Sequence, residues 1–460
     1  MSGPRDKSRG AARPGAKSSR KPGAKPGLSA GRRGSKGHGH RGPQDQAPQA
    51  DLIERALTEV LKLEAPADAV LRAFFRAHPQ MGRRDRGRLA ETVFDVLRHR
   101  RRYDHLAAAG SGPHVRRLRW LSRCLAFGDP LPADGALAEW VTAARRIDAS
   151  TLPPAVRYSM PDWLWEALAA RYPWPEVGRI AESLLEPAPL DLRVNTLKAT
   201  VAQVDAALAQ ADLGLHPLPW PPGALRLDGK PALEELGAFV QGWFEVQDAG
   251  SQLLAHVVAP RRGQTVVDFC AGAGGKTLAL AAMLAGTGQV FAVDVSTSRL
   301  IRMRPRLARS GATNVQPMAI DDEHDPKLKR LAGRADRVLV DAPCTGTGTL
   351  RRNPDLKWRQ TPADVAELGR RQTSILAAAA RLVNPGGRLV YATCSLLDTE
   401  NGAVADAFEA AHPEFTRVSV GELLAAQRTG PAGVGDRLEL RPDLHGCDGF
   451  FAAAFERVRG

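Results

Sequence analysis

Two cysteines fifty residues apart are the side chains best suited to chemistry: Cys344, preceded by Asp341-Ala342-Pro343, and Cys394, set between Thr393 and Ser395. A free thiol with a pKa of about 8.5 is only a few per cent ionised at neutral pH, so a nucleophilic role calls for a cation or a helix N-terminus beside it. The polar run Ser395 to Asn401 is expected to begin a helix immediately after Cys394 and to supply such a terminus. A single buried cysteine is more often packing than nucleophile. Two at equivalent positions, one beside a carboxylate, point to thiol chemistry at a reacting centre.

A second constellation is the turn Cys270-Ala271-Gly272-Ala273-Gly274-Gly275-Lys276-Thr277. Its glycines let a backbone approach a ligand closely, and a helix starting there presents free amides. A P-loop would need glycine where Cys270 stands, and the G-x-G-x-x-G fingerprint fails at Thr277. A dinucleotide, S-adenosylmethionine or a plain tight turn stay open on the turn alone. Asp294 is placed to accept from ribose hydroxyls, or else to cap the helix at Ser298. Asp321, with Asp322 beside it, could hold adenine or ribose.

These residues need strand ends, and the chain supplies them. Thr265–Phe269, Gln289–Val293, Asn314–Ile320, Arg337–Val340 and Arg388–Ala392 are short apolar runs separated by helical stretches, the pattern of a doubly wound sheet. The last two lead into the cysteines, and strand ends of such a sheet face its ligand crevice. A long helix is expected over 362–383 with Thr361 as N-cap and Pro362 at its first position, ended by Pro385-Gly386-Gly387. A closing strand is expected over 449–458.

Ahead of this domain, residues 155 to 245 read as a small α/β module. Strands are expected at 190–196, near 225–227 and over 239–246, with a helix at 201–213 between the first two. Residues 51 to 150 read as all-helical, with breaks at Gly110-Ser111-Gly112-Pro113 and Asp129-Pro130. The run Arg98-His99-Arg100-Arg101-Arg102 is either a solvated helix end or a patch facing RNA. Residues 1 to 50 hold twelve Lys and Arg against two Asp, ten of the fourteen net positive charges of the 460-residue chain. Rich in Gly, Pro and Ser, this segment is expected to be a disordered basic tail, either a solubilising extension or an arm attracting polyanions.

Five cysteines without a CxxC pair argue against a disulfide framework or a metal site and for a reducing interior. No apolar run reaches membrane-spanning length, so a cytoplasmic monomer away from membranes is expected.

The segments Val246-Gln247-Asp248-Ala249-Gly250-Ser251, 267–277, 341–348, Arg351-Arg352-Asn353-Pro354-Asp355-Leu356-Lys357-Trp358 and Thr393-Cys394-Ser395 together resemble the Sun family of S-adenosylmethionine-dependent RNA (cytosine-5) methyltransferases. They are similar to the bacterial 16S ribosomal RNA enzymes of that family. The resemblance implies a Rossmann-like methyltransferase domain over 246–460, the small α/β module before it, and a NusB-like helical RNA-binding domain over 51–150. It implies Cys394 as the nucleophile on cytosine C6, Cys344 as the thiol assisting C5 proton removal and release, and Asp341 on the base edge near N3. Residues Cys270 to Lys276, with Asp294, Asp321 and Asp341, would then surround S-adenosylmethionine. The stretch Arg351, Arg352, Lys357, Trp358 and Arg359 could grip RNA phosphates with its cations while the tryptophan packs or stacks, or else be a solvated loop around a core tryptophan. The chain departs from the family at Gly272-Ala273, where Ala-Pro is usual, and at Thr345, where Ser is commoner.

A methyltransferase acting on an exocyclic nitrogen would need an Asn- or Asp-Pro-Pro-aromatic motif where Asp341-Ala342-Pro343-Cys344 stands. A family member acting on transfer RNA, or a non-catalytic ribosome-assembly factor using the fold as scaffold, are the remaining alternatives.

Overall fold

The computed structural model describes residues 47–459. Most of the expected basic tail lies outside the described residues; residues 47 to 50 already belong to the first helix. That helix, α1 (Ala47–Val60), is followed by α2 (Ala67–Ala77) and α3 (Arg83–Ala107), with further helices at His114–Leu121 and Gly135–Arg146. Ile53, Ala56, Leu57 and Val60 share one face of α1, and Leu89, Val93, Val96 and Leu97 one face of α3. The spacing of three and four residues is what closes an apolar core between helices.

Helix α3 is kinked at His99, whose φ and ψ are −105° and 16°. The carbonyls at the kink are satisfied by side chains from far along the chain. Trp358 Nε1 donates to Leu97 O at 2.7 Å and Lys357 Nζ to Arg98 O at 2.8 Å. Insertion of side chains into a carbonyl ladder is an established cause of such bends. Arg98 Nη2 donates to Arg351 O at 3.0 Å and Arg101 Nη1 to Met160 O at 2.7 Å. Within the arginine run, Arg98 and Arg101 are thus bound into the seam between the helical region and the rest of the chain.

The second region carries a four-stranded antiparallel sheet of β1 (Leu190–Val194), β2 (Leu215–Pro217), β3 (Ala224–Leu227) and β4 (Phe244–Val246), in the order β2-β3-β1-β4. The helix Val201–Gln210 crosses it, started by a Thr200–Gln203 capping box. The strand expected over 239–246 is shorter than anticipated. Gly237–Val240 forms a helical turn, and Gly242, at φ +76°, breaks the chain before β4.

The third region is a sheet of β5 (Thr265–Phe269), β6 (Gln289–Asp294), β7 (Val315–Ala319), β8 (Ala335–Asp341), β9 (Val383–Thr393), β10 (Phe415–Val418), β11 (Arg437–Leu440) and β12 (Phe450–Arg457). The order is β10-β12-β9-β8-β5-β6-β7, with β11 paired to β12. From β7 to β9 neighbours run parallel, and β12 enters antiparallel beside β9. Alternate residues feed opposite layers: Val338, Val340, Leu389 and Tyr391 join one core, and Leu339, Val390 and Ala392 the other. Burial on both faces explains why these strands read as continuous apolar runs rather than alternating ones.

Two expectations near the site change. The long helix runs Pro362–Ala380, with the Thr361–Asp364 capping box and Pro362 in place, but it stops before Val383. Pro385-Gly386-Gly387 lies within β9 rather than ending the helix, beside a register irregularity at Ala335/Arg337. After Cys394 no helix begins directly; a 3₁₀ turn at Asp398–Glu400 precedes the helix Gly402–Ala411. Ser395, Glu400 and Asn401 are buried and spend their polar groups on one another and on the Cys344 loop.

Candidate active site

The parallel strands end on one side of the sheet, and a cavity of about 680 Å³ opens there. The register of β8 with β9 pairs Asp341 with Ala392, so the loops leaving the two strands start level. Each carries a cysteine a few residues on. The Sγ atoms of Cys344 and Cys394 lie 3.3 Å apart. The hydrogen bond with Cys394, burial, and the nearby Glu400 push the Cys344 thiol well above its ordinary range. Cys344 is thus held in its protonated form.

Lys276 stands at the start of the helix Gly275–Met283 and donates from Nζ to Asp341 Oδ2 at 2.7 Å. Burial works against its ammonium, but Asp341 and the proximity of Cys394 outweigh this and raise its pKa. The Lys276 ammonium also lies 5.6 Å from the centroid of the Phe450 ring. One cation is thus paired with a carboxylate on the wall of the cavity that both thiols also line.

Every residue of the turn from Cys270 to Lys276 lines the cavity except Gly274, as do Asp294, Asp341 and both thiols. Gly272 has φ +58° and open space where a Cβ would stand. Gly274 serves a different end: with φ +86°, a Cβ there would lie 2.5 Å from Met303, so glycine lets the turn pack on the next helix. Asp294 accepts from Gly272 N and Ser296 N, both at 2.7 Å. Ser296, not Asp294, caps the helix Thr297–Ser310. Each Asp294 oxygen keeps acceptor capacity for a ligand hydroxyl. Asp321 and Asp322 are exposed and do not line the cavity, whereas Ile320 and Glu323 do. Burial raises the Cys270 thiol, helped by Asp341 and Asp294.

Beneath the turn, Asp268 is fully buried and accepts from Thr277 Oγ1 at 2.6 Å. Burial pushes its carboxyl up to about 7.

The basic segment after Cys344 does not face this cavity with its charges. Arg352 bridges Asp448, at 2.5 Å, and Asp248, at 2.8 Å. Lys357 is buried, and burial together with Arg98 holds its pKa well below the ordinary lysine value. Asp355 Oδ2 accepts from Ala67 N at the start of α2. Four groups expected to grip phosphates or stack on bases, Arg352, Lys357, Trp358 and Arg359, are held by protein partners instead.

Sequence reasoning missed Glu400 and Gln372, which bind the loops around the thiols, because a single acid in a polar run carries no spacing signal. It also left Gln247 and Ser251 without a role, although both line the cavity and are joined at 3.2 Å.

A family model described as 16S rRNA methyltransferase RsmB/F matches residues 255–456, and the ferredoxin-like domain model of the same proteins matches 160–234. A protein of Synechocystis sp. named probable ribosomal RNA small subunit methyltransferase B is 31% identical over 438 residues, covering 87% of this chain and 98% of that one. The chain belongs to the RsmB/F methyltransferase family. Another family member, the ribosomal RNA small subunit methyltransferase B of Vibrio cholerae, is 36% identical over 310 residues, 67% of this chain and 68% of its own. A solved methyltransferase homolog from Pyrococcus horikoshii superposes with a TM-score of 0.57 at 27% identity, covering 68% of this chain and all of the other. The cofactor is S-adenosylmethionine, and the two family models cover the Rossmann-like domain and its ferredoxin-like neighbour. The open backbone at Gly272 and the spare acceptors of Asp294 suit an adenosyl group with its ribose diol.

Proposed function

We propose that this chain methylates C5 of a cytosine in small-subunit ribosomal RNA through a covalent adduct on Cys394. The observation that carries the reading is the 3.3 Å contact between two thiols on the wall of the cavity that the glycine turn and Asp294 also line. C5 of cytosine is a poor nucleophile, and a sulfur bonded at C6 turns the ring into an enamine able to attack an electrophilic methyl group.

Cys394, as thiolate, adds to C6, and the electron pair of the C5–C6 bond moves toward C5 and N3. Asp341 meets the base edge near N3 and, as charge gathers there, passes to N3 a proton taken from the Lys276 ammonium hydrogen-bonded to it; before the attack that ammonium is the cation that a neighbouring thiolate requires. Bound S-adenosylmethionine supplies the methyl group to C5. Cys344 then passes its proton to the departing Cys394 sulfur, 3.3 Å away, and takes the C5 proton in its place; as the C5–H electrons restore the double bond, the S–C6 bond breaks and Cys394 leaves as the thiol. A target base that starts stacked must first be turned out, at about a few kcal/mol. The relatives named as small-subunit enzymes support ribosomal RNA as the substrate class.

The test is a pair of substitutions assayed with labelled S-adenosylmethionine. Cys394→Ala should abolish both methyl transfer and any protein–RNA adduct. Cys344→Ala should accumulate an adduct that survives a denaturing gel. Normal turnover by Cys344→Ala with no adduct would remove the role given to that thiol, and bisulfite sequencing of RNA with and without the gene identifies the cytosine.

A further inference from the structure

Glu400 has no exposed surface and forms no ion pair among the described residues, yet its carboxylate accepts four hydrogen bonds. Thr345 N and Gln372 Nε2 donate to Oε1 at 2.9 and 3.1 Å. The hydroxyls of Thr345 and Ser395 both donate to Oε2 at 2.5 Å. A carboxylate has about four acceptor sites, and all are used.

The donors are not scattered. Thr345 follows Cys344, and Ser395 follows Cys394. Gln372 also donates to Pro343 O at 2.8 Å, on the other side of Cys344. The Cys344 loop is thus held on both flanks, and the same carboxylate holds the Cys394 loop. Its own backbone is fixed in turn, because Tyr391 OH donates to Glu400 O at 2.5 Å from within β9. Thr345 supplies both a backbone N–H and a hydroxyl, so the hydroxyl that the commoner serine would offer is preserved.

We propose that Glu400 is the positioning residue of the thiol pair: one buried carboxylate clasps the two loops leaving β8 and β9 and sets the distance between Cys344 and Cys394. This rests on the reading that both thiols act in turn on one base. The fit between the groups explains why an acid stands there. All four partners present hydrogens, and a carboxylate accepts from all of them at once; an amide keeps the four contacts only if the two hydroxyls turn to accept, and alanine would leave all four unpaired in a dry site. Gln372 is the second member of the clasp.

Three variants of the full chain test this. Glu400→Ala removes the clasp. Glu400→Gln keeps an acceptor for Thr345 N and Gln372 and turns its amide to the two hydroxyl oxygens. Ser395→Ala removes a single bond.

The first readout needs no RNA. Diamide takes one hydrogen from each of two adjacent thiols, and the Cys344–Cys394 disulfide is followed by peptide mass. Wild type and Glu400→Gln should close it at similar rates, Glu400→Ala about tenfold more slowly, and Ser395→Ala in between. The second readout separates kcat from KM. Glu400→Ala should lose about 100-fold in kcat, the scale of a misplacement near 1 Å, with KM for RNA and the Kd of S-adenosylmethionine changed less than about threefold, and Glu400→Gln should recover most of the loss.

Unchanged disulfide closure in both alanine variants overturns the clasp whatever reaction the site performs. So does a Glu400→Ala enzyme whose cofactor affinity falls as far as its kcat, or a Glu400→Gln enzyme as poor as Glu400→Ala. A missing adduct in Cys344→Ala with slowed disulfide closure in Glu400→Ala overturns the covalent reading and leaves the clasp standing.

Discussion

The Nζ of Lys276 lies 2.7 Å from Oδ2 of Asp341, joining the first turn of the helix after β5 to the last residue of β8. Both are half-buried or buried on the cavity wall, with Cys394 close enough to help keep the lysine protonated. The charges that the proposed reaction needs are therefore arranged by two adjacent strands before any RNA arrives.

Lys276→Met should expose how much that pair contributes. Removing one partner of a well-formed buried pair that faces developing charge costs about 3 kcal/mol, roughly 100-fold in kcat. Single-turnover methyl transfer at saturating S-adenosylmethionine checks this. A loss confined to KM would mean that the lysine holds substrate rather than stabilising charge.

Asp294 and Asp321 make opposite predictions. Asp294→Ala leaves Gly272 N and Ser296 N without their acceptor and removes a carboxylate from the cavity wall, so the Kd for S-adenosylmethionine should rise about 10- to 100-fold. Asp321→Ala, exposed and outside the lining, should leave the Kd unchanged. Calorimetry on the two variants decides whether the third strand contacts the cofactor through Asp321 or through its neighbours Ile320 and Glu323.

The Asp268 carboxyl supplies a pH dependence with a definite sign. Burial lifts its pKa from 3.8 to about 7, so between these values the folded chain holds a proton that the unfolded chain has lost. Stability from this group is complete below pH 3.8 and declines as pH rises through about 7. Asp268→Asn removes that slope: its melting temperature relative to wild type should climb as pH is raised across the window. Parallel profiles for the two proteins would show that Asp268 does not titrate there.

Arg352 holds two buried carboxylates, Asp248 and Asp448. Arg352→Met strands both and should cost about 3–5 kcal/mol of stability, read as a lower denaturant midpoint. Because the guanidinium is occupied within the protein, the salt dependence of RNA binding should keep its slope. A slope reduced by about one would restore the phosphate-gripping role.

The sequence determined the frame of the site by local rules. Apolar runs of strand length place Asp341 at the end of β8 and Cys394 just past β9, and a doubly wound sheet sends those ends to one crevice. The glycine turn and Asp294 follow from the same pattern. Tertiary structure alone decided which partner each polar group took. Trp358 and Lys357, read as RNA contacts, close a kink in a helix some 260 residues earlier. Arg352 turned inward to Asp248 and Asp448, Asp321 stands exposed outside the cavity lining, and the run after Cys394 became a loop because Glu400 found Thr345. Local periodicity fixes which face a residue occupies; a hydrogen bond between residues tens or hundreds of positions apart is fixed only when packed strands and helices bring both groups out of water, where an unpaired polar atom is too costly to leave.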